Sequence, residues 1–213
     1  ILLRHRADVE VKDWDFMSML TRATVQGHGD IVEMLVTHRA DIETKDLEHC
    51  NCTPLFNAVR CGHGDIVEIL LRHRADIETK DGDHVPVLTQ AAVLGREGIV
   101  ETLLTHRADI ETRDAKKNTP ANSAAEAGRW KTVAALLKRR ANPHATGQAG
   151  TSLLMLALGS TDGDALLVME RLNRELLMLS VFAEKDLMDK RTADVSPVFN
   201  PFGIWMAGGA GSG

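Results

Sequence analysis

The sequence predicts an all-α repeat solenoid. Stacked helix pairs are joined by short β-hairpin fingers, followed by a C-terminal amphipathic helix and a disordered tail. Three observations lead there. A ten-residue phrase recurs: "RHRADVEVKD" from Arg4, "THRADIETKD" from Thr37, "RHRADIETKD" from Arg72, "THRADIETRD" from Thr105 and a worn "KRRANPHATG" from Lys138. The starts lie 33, 35, 33 and 33 residues apart, a period that marks a repeat architecture. Within each period an Ala-rich segment ending in glycine precedes a Leu-rich one, as in "TPLFNAVRCG" at 53–62 and "GDIVEILLRH" at 64–73. Finally, aromatics make up 4% against 44% hydrophobic residues, with no tyrosine. Leu, Ala, Val and Ile must therefore fill the core, which suits short helices packed closely.

The totals exclude several classes. The 213 residues suffice for one sizeable domain and a tail. A net charge of −5 lacks the basic footprint of a nucleic-acid binder. No apolar run approaches the roughly 18 residues of a membrane span, and the opening "ILLRHRAD" has no long apolar h-region. Cys50, Cys52 and Cys61 are odd in number, and two are one residue apart. They read as reduced thiols rather than a disulfide framework, which points to an intracellular, cytoplasmic or nuclear, location. "ILLRHRAD" also matches part of "EILLRHRAD" at 68–76, late in a unit. The chain is thus expected to begin within a repeat, as a fragment or processed piece.

The array spans 1–161: a partial repeat 1–6, repeats 7–39, 40–74, 75–107 and 108–140, and a degraded copy 141–161. Each begins with an extended "ADIETKD" segment. There side chains alternate, so Glu10, Glu43, Glu78 and Glu111 form a ladder beside Lys12, Lys45, Lys80 and Arg113, a solvated and charge-balanced edge. A polar turn follows, then the first helix. Pro54 and Pro120 suit its first turn, and Ala58, Ala91, Ala92, Ala124 and Ala125 let paired helices approach. The second helix carries an apolar stripe, Ile31, Val32, Leu35 and Val36 in one copy. Asp30 and Asp65 are predicted N-caps, with Glu33 and Glu68 completing capping boxes. Residues 162–191 read as one amphipathic helix with a stripe at Leu166, Met169, Leu172, Leu176, Leu179 and Phe182. It caps the open end of the array or, alternatively, self-associates through 165–188. Residues 192–213, ending "GGAGSG", read as a flexible tail.

Thr53-Pro54-Leu55, Thr119-Pro120, the "GHGDIVE" runs at 27–33 and 62–68 and the Ala-Asp-Ile/Val steps resemble the ankyrin repeat family over about residues 1–160. The resemblance implies glycine at the end of each second helix, where a left-handed cap is expected. Arginine stands there instead, at Arg6, Arg39, Arg74, Arg107 and Arg140. The helix dipole and a reachable acid such as Asp41 or Asp76 are expected to offset the strain. The resemblance further implies a groove lined by finger tips and first-helix ends, where the copies differ. Partner-binding residues are accordingly Trp14, Asp15, Met17, Leu47, Glu48, Asn51, Asp83, His84, Lys116 and Lys117 at the tips. At the helix ends they are Val25, Gln26, Arg60, Cys61, Val93, Leu94 and Glu126. The position that is a hydroxylated asparagine in some relatives is Glu10, Glu43, Glu78 and Glu111 here, a poor substrate.

No catalytic constellation, cofactor motif or metal site is predicted. The C-x-C at Cys50 and Cys52 is too tight for the usual zinc knuckle, and the histidines follow the period rather than converge. Asn200-Pro201-Phe202 is similar to short ligands of endocytic adaptor domains and reads as chance. The expected function is a non-enzymatic protein–protein interaction module, an adaptor or scaffold displaying a rigid concave groove to a protein partner. The alternative is a regulatory or substrate-recruiting segment of a larger enzyme or signalling protein.

Overall fold

The computed structural model describes residues 17–46, 51–147, 150–172 and Arg174. All but Arg174 fall in one compact unit that ends at Leu172. Trp14, Asp15, Leu47 and Glu48, the later part of the predicted C-terminal helix and the tail lie outside the described residues.

The described elements are helices. Four pairs run in order: α1 (Met19–Val25) with α2 (Gly29–Thr37), α3 (Pro54–Cys61) with α4 (Gly64–Arg72), α5 (Val87–Val93) with α6 (Glu97–Thr105), and α7 (Pro120–Glu126) with α8 (Trp130–Lys138). Then come α9 (Leu153–Leu158) and α10 (163–172). First helices pack in one layer, α1 on α3 on α5 on α7 on α9, and second helices in another, α2 on α4 on α6 on α8. The core runs between the layers, through Leu55, Val59, Leu70, Leu88, Val100, Leu103 and Leu136. All five predicted spacer alanines are buried in it. No helix among the described residues is long and apolar enough to cross a membrane.

Capping explains the first helices. Ser18, Thr53, Thr119 and Ser152 each accept a hydrogen bond from the backbone N–H three residues on. Pro86 takes this place in α5 and supplies no side-chain cap. The second helices begin two residues earlier than the predicted caps imply. His28, His63, Arg96 and Arg129 hold the N-cap position without a side-chain cap, and Asp30 and Asp65 sit in the first turn. There the acids favour the positive end of the dipole but form no capping box. Instead, His63 Nε2 lies 3.2 Å from the Val25 carbonyl and Arg129 Nε donates to the Val93 carbonyl at 3.2 Å, each reaching back one repeat.

Both helices of a pair end in the same motif, with opposite chemistry. After α4, Ala75 N–H bonds the Leu70 carbonyl and Arg74 N–H the Leu71 carbonyl; after α3, His63 N–H bonds Ala58 and Gly62 N–H bonds Val59. These are Schellman pairings. Gly27, Gly62, Gly95 and Gly128 hold the left-handed position after the first helix, and Arg39, Arg74, Arg107 and Arg140 hold it after the second, at φ between +67° and +71°. A Cβ on Gly62 would stand 2.7 Å from Arg96 Cζ, whereas the four arginines are exposed. At Gly27, Gly62 and Gly95 the next repeat covers the turn and leaves no room for a side chain, whereas the space beside Gly128 is open. None of the four guanidinium groups has a hydrogen bond or ion pair among the described residues, so the expected pairing with Asp41 or Asp76 does not form.

Those aspartates are occupied. Asp41, Asp76 and Asp109 Oδ1 accept the N–H of Glu43, Glu78 and Glu111 at 2.9–3.0 Å, an Asx turn. The segment consequently turns at Ile42–Glu43 instead of staying extended. The glutamate ladder is then more than a solvated edge. Asp76 N–H donates to Glu43 Oε1 at 2.7 Å, Asp109 N–H to Glu78 Oε1 at 2.8 Å and Asn142 N–H to Glu111 Oε1 at 2.6 Å. Each glutamate ties its repeat to the next. Of the predicted hairpins, single antiparallel bridges are present, Asp46 with Cys52, Lys80 with Pro86 and Thr146 with Ser152.

At the C-terminal end the apolar face of α10 is Ala165, Val168 and Leu172, which join the core, while Leu166 is 50% exposed. The predicted stripe was thus one residue out at its start, because Ala165 supplies the first contact. Cys52 is disulfide-bonded, contrary to the expectation of reduced thiols, and Cys61 is a free thiol.

Candidate partner-binding surface

The first-helix layer and the turns that precede it form one face. Aspartates shape its turn tips. Asp81 Oδ1 accepts the N–H groups of Asp83 and Val85 at 3.0 and 2.8 Å, and Asp114 Oδ1 those of Lys116 and Asn118 at 2.9 and 2.8 Å. This winding drives the fourth residue of both tips into the left-handed region, His84 at φ +60° and Lys117 at +63°, and Asn51 stands there too, at +52°. The three side chains are exposed. So are Asp83 and Lys116, beside them.

Between the third and fourth pairs the face opens into a cavity of about 570 Å³. Four predicted residues line it, Asp83, Val93, Lys116 and Glu126. Asn118, which stands with Lys116 and Lys117 at a variable tip, also lines it, and Val85, Thr89, Gln90 and Ser123, which sequence reasoning passed over, complete much of the wall. They sit inside the first helix or just before it, where the pattern reads as core. Their signal was faint: polar Thr89 and Gln90 replace Phe56 and Asn57 of the neighbouring copy. Asp114 is committed, since Ser123 Oγ also donates to its Oδ2 at 3.4 Å. Asn118 Nδ2 donates to Glu126 Oε2 at 3.1 Å, which fixes that carboxylate at the rim.

The other predicted residues are spread along the array. Met17, Val25 and Cys61 are half-buried, and Gln26 is exposed. Arg60 is exposed, and its Nη2 donates to Asn57 Oδ1 at 2.7 Å. Leu94 lines a different and smaller cavity of about 220 Å³, with Trp130, Arg129 and Asp164. Among the described residues no group of three or more His, Cys, Asp or Glu side chains is placed to hold a metal ion. Beneath the turns, the Glu43 carboxyl is raised above its usual value of 4.5. Burial is the main cause; the Asp76 N–H lowers it again, and the Asp76 and Asp41 charges add to the rise.

Two layers of short antiparallel helices, repeated with turn tips on one side, define a helical repeat protein. A family model described as "Ankyrin repeats (3 copies)" matches residues 1–81 and again residues 46–114. The chain belongs to the ankyrin repeat family, whose repeats as a class mediate protein–protein interaction. No curated protein matches the chain in sequence.

Proposed function

We propose that this chain is a non-catalytic adaptor or scaffold that holds a protein partner along a concave groove made of turn tips and first helices. The observation that carries this reading is the cavity between the third and fourth pairs. It is lined where the copies differ, at Asp83, Val93, Lys116 and Glu126, and specificity in a stack of near-identical units resides where units differ. The groove is pre-ordered by glutamates that lock each repeat to the next and by side-chain caps on the first helices other than α5, so little entropy is lost on association. The fingers act as short β-hairpins at the groove's edge. The C-terminal helix acts as an end cap, consistent with Ala165, Val168 and Leu172 joining the core.

Site-specific photo-crosslinking tests it. A benzophenone side chain is introduced at Asp83 or Val93, on the groove, and at Met34 or Glu68, on the second-helix layer. Adducts with one protein from the groove positions and none from the second-helix positions are expected. Adducts confined to Met34 and Glu68 would place the working surface on the opposite layer.

A further inference from the structure

We propose that the cavity between the third and fourth helix pairs receives a lysine or arginine side chain carried by an extended segment of the partner. This deepens the groove reading and rests on it. Two independent observations point to a cation. The first is an unpaired hydroxyl. Thr89 is 1% exposed, lines the cavity, and its Oγ1 has no hydrogen-bond partner among the described residues. Buried polar groups are nearly always paired, and one left unpaired is destabilising. At the equivalent positions of the other pairs, Thr21 Oγ1 lies 3.0 Å from Ser18 Oγ, Phe56 has no polar side-chain atom, and Asn122 Nδ2 donates to the Ala145 carbonyl at 3.1 Å, while the unpaired Asn122 Oδ1 belongs to a residue outside the cavity lining.

The second observation is unspent negative charge at the rim. Asp83 is exposed, and its carboxylate accepts no hydrogen bond and joins no ion pair among the described residues. Glu126 uses only Oε2, toward Asn118. Asp114 is satisfied by Lys116 N–H, Asn118 N–H and Ser123 Oγ, so it is not a competing acceptor. Among the described residues of the lining, Lys116 is the one cation, against three carboxylates. An ammonium has three donors and no acceptor. It suits a hydroxyl oxygen at the wall and two carboxylates above it, while Val85 and Val93 face its methylene stem, the way such stems cover apolar surface. An acidic side chain would meet three carboxylates here. A neutral one would leave Asp83 and Glu126 unanswered.

The test uses the full chain and four pools of nine-residue peptides, random except for a fixed central Lys, Arg, norleucine or Glu. Norleucine keeps the lysine stem and drops the charge. The Lys and Arg pools are expected to be retained at least about tenfold over the norleucine and Glu pools, as hydrogen bonds to a charged group allow. Asp83→Asn with Glu126→Gln, both on exposed side chains, should bring that ratio close to one while the thermal midpoint stays put. Thr89→Val should lower it severalfold and raise the midpoint, because a buried orphan is replaced by a methyl group. Equal retention of Lys and norleucine, preference for Glu, a ratio untouched by the double variant, or no retention of any pool would each overturn the proposal. The groove reading is scored separately. Crosslinks at Val93 without a charge preference would leave the groove in place and remove only the cation pocket.

Discussion

Replacing Arg39, Arg74, Arg107 and Arg140 together by glycine is expected to stabilise the array. All four hold the left-handed cap at φ between +67° and +71°, are exposed and make no side-chain bond among the described residues, so little is lost with the side chain. A non-glycine residue in this conformation costs about 1–2 kcal/mol. Against its removal stand about 0.3–1 kcal/mol from the arginine charge at the helix C-terminus and about 0.4–1 kcal/mol from the freer unfolded chain that glycine gives. At the midpoints of these ranges the net is about 0.15 kcal/mol per site and about 0.6 kcal/mol for the four. With a urea slope of about 2 kcal/mol/M the midpoint rises by about 0.3 M. The matched alanine variant keeps the strain and loses the charge, so it falls below the parent, and glycine exceeds alanine by about 1 kcal/mol at each site. Urea unfolding followed by circular dichroism measures all three proteins. A glycine variant no more stable than the alanine variant would refute the strain argument and leave the arginines held by something other than geometry.

Other changes read other parts of the design. Pro86→Thr should raise the thermal midpoint, since it gives α5 the cap that Ser18, Thr53 and Thr119 give their helices, worth about 1 kcal/mol. Gly62→Ala should cost more than Gly128→Ala: both residues sit at positive φ, but the new Cβ meets Arg96 at 2.7 Å in the first case and nothing within 4 Å in the second. Paired denaturation curves give that difference directly. Glu43 bears on pH. Its folded pKa is raised, so the fold keeps the proton to higher pH than the unfolded chain does, and stability falls as pH climbs from 4.5 through the raised value. Glu43→Gln should flatten that fall in melts taken between pH 4 and 7, and an unchanged slope would count against the burial argument.

How much of this was legible in sequence follows from how local each cause is. The repeat, the helix pairs and the proline and alanine positions depend on spacing within about ten residues, and the sequence carries them openly. The aspartate at the start of "ADIETKD" also acts locally, yet extended and turned backbones share that composition. Only the bond from Asp41 Oδ1 to Glu43 N–H distinguishes them. The glutamate link could not be read at all, because its acceptor meets Asp76 N–H 33 residues on. The N-caps were misplaced for a related reason. Asp30 and Asp65 have the right chemistry and local spacing, but the position before α4 is held by His63, whose ring reaches the Val25 carbonyl of the previous repeat, a contact that local spacing does not reveal. At the candidate site, the variable tips were visible as differences between copies. Thr89 and Gln90 were hidden, since a residue inside an Ala-rich helix reads as packing until a cavity is found beside it.

Pro86 joins several of these threads. It stands where the other first helices have Ser18, Thr53, Thr119 and Ser152. Those hydroxyls cap their helices, and two do more: Ser18 Oγ also meets Thr21 Oγ1, and Thr53 Oγ1 meets Thr79 Oγ1 of the next turn, 3.1 Å away. Proline removes both services at once. The α5 N-terminus is left without a side-chain cap, and Thr89, the counterpart of Thr21, is left with an unpaired hydroxyl. The cavity wall therefore carries an unpaired hydroxyl at the pair whose side-chain cap is missing. A hydroxyl at position 86 would stand toward Thr89 as Ser18 stands toward Thr21, so Pro86→Thr should stabilise the fold and weaken a lysine-bearing peptide together. Stability gained with peptide retention unchanged would mean that Thr89 serves the fold alone, and that the rim carboxylates Asp83 and Glu126 act without it.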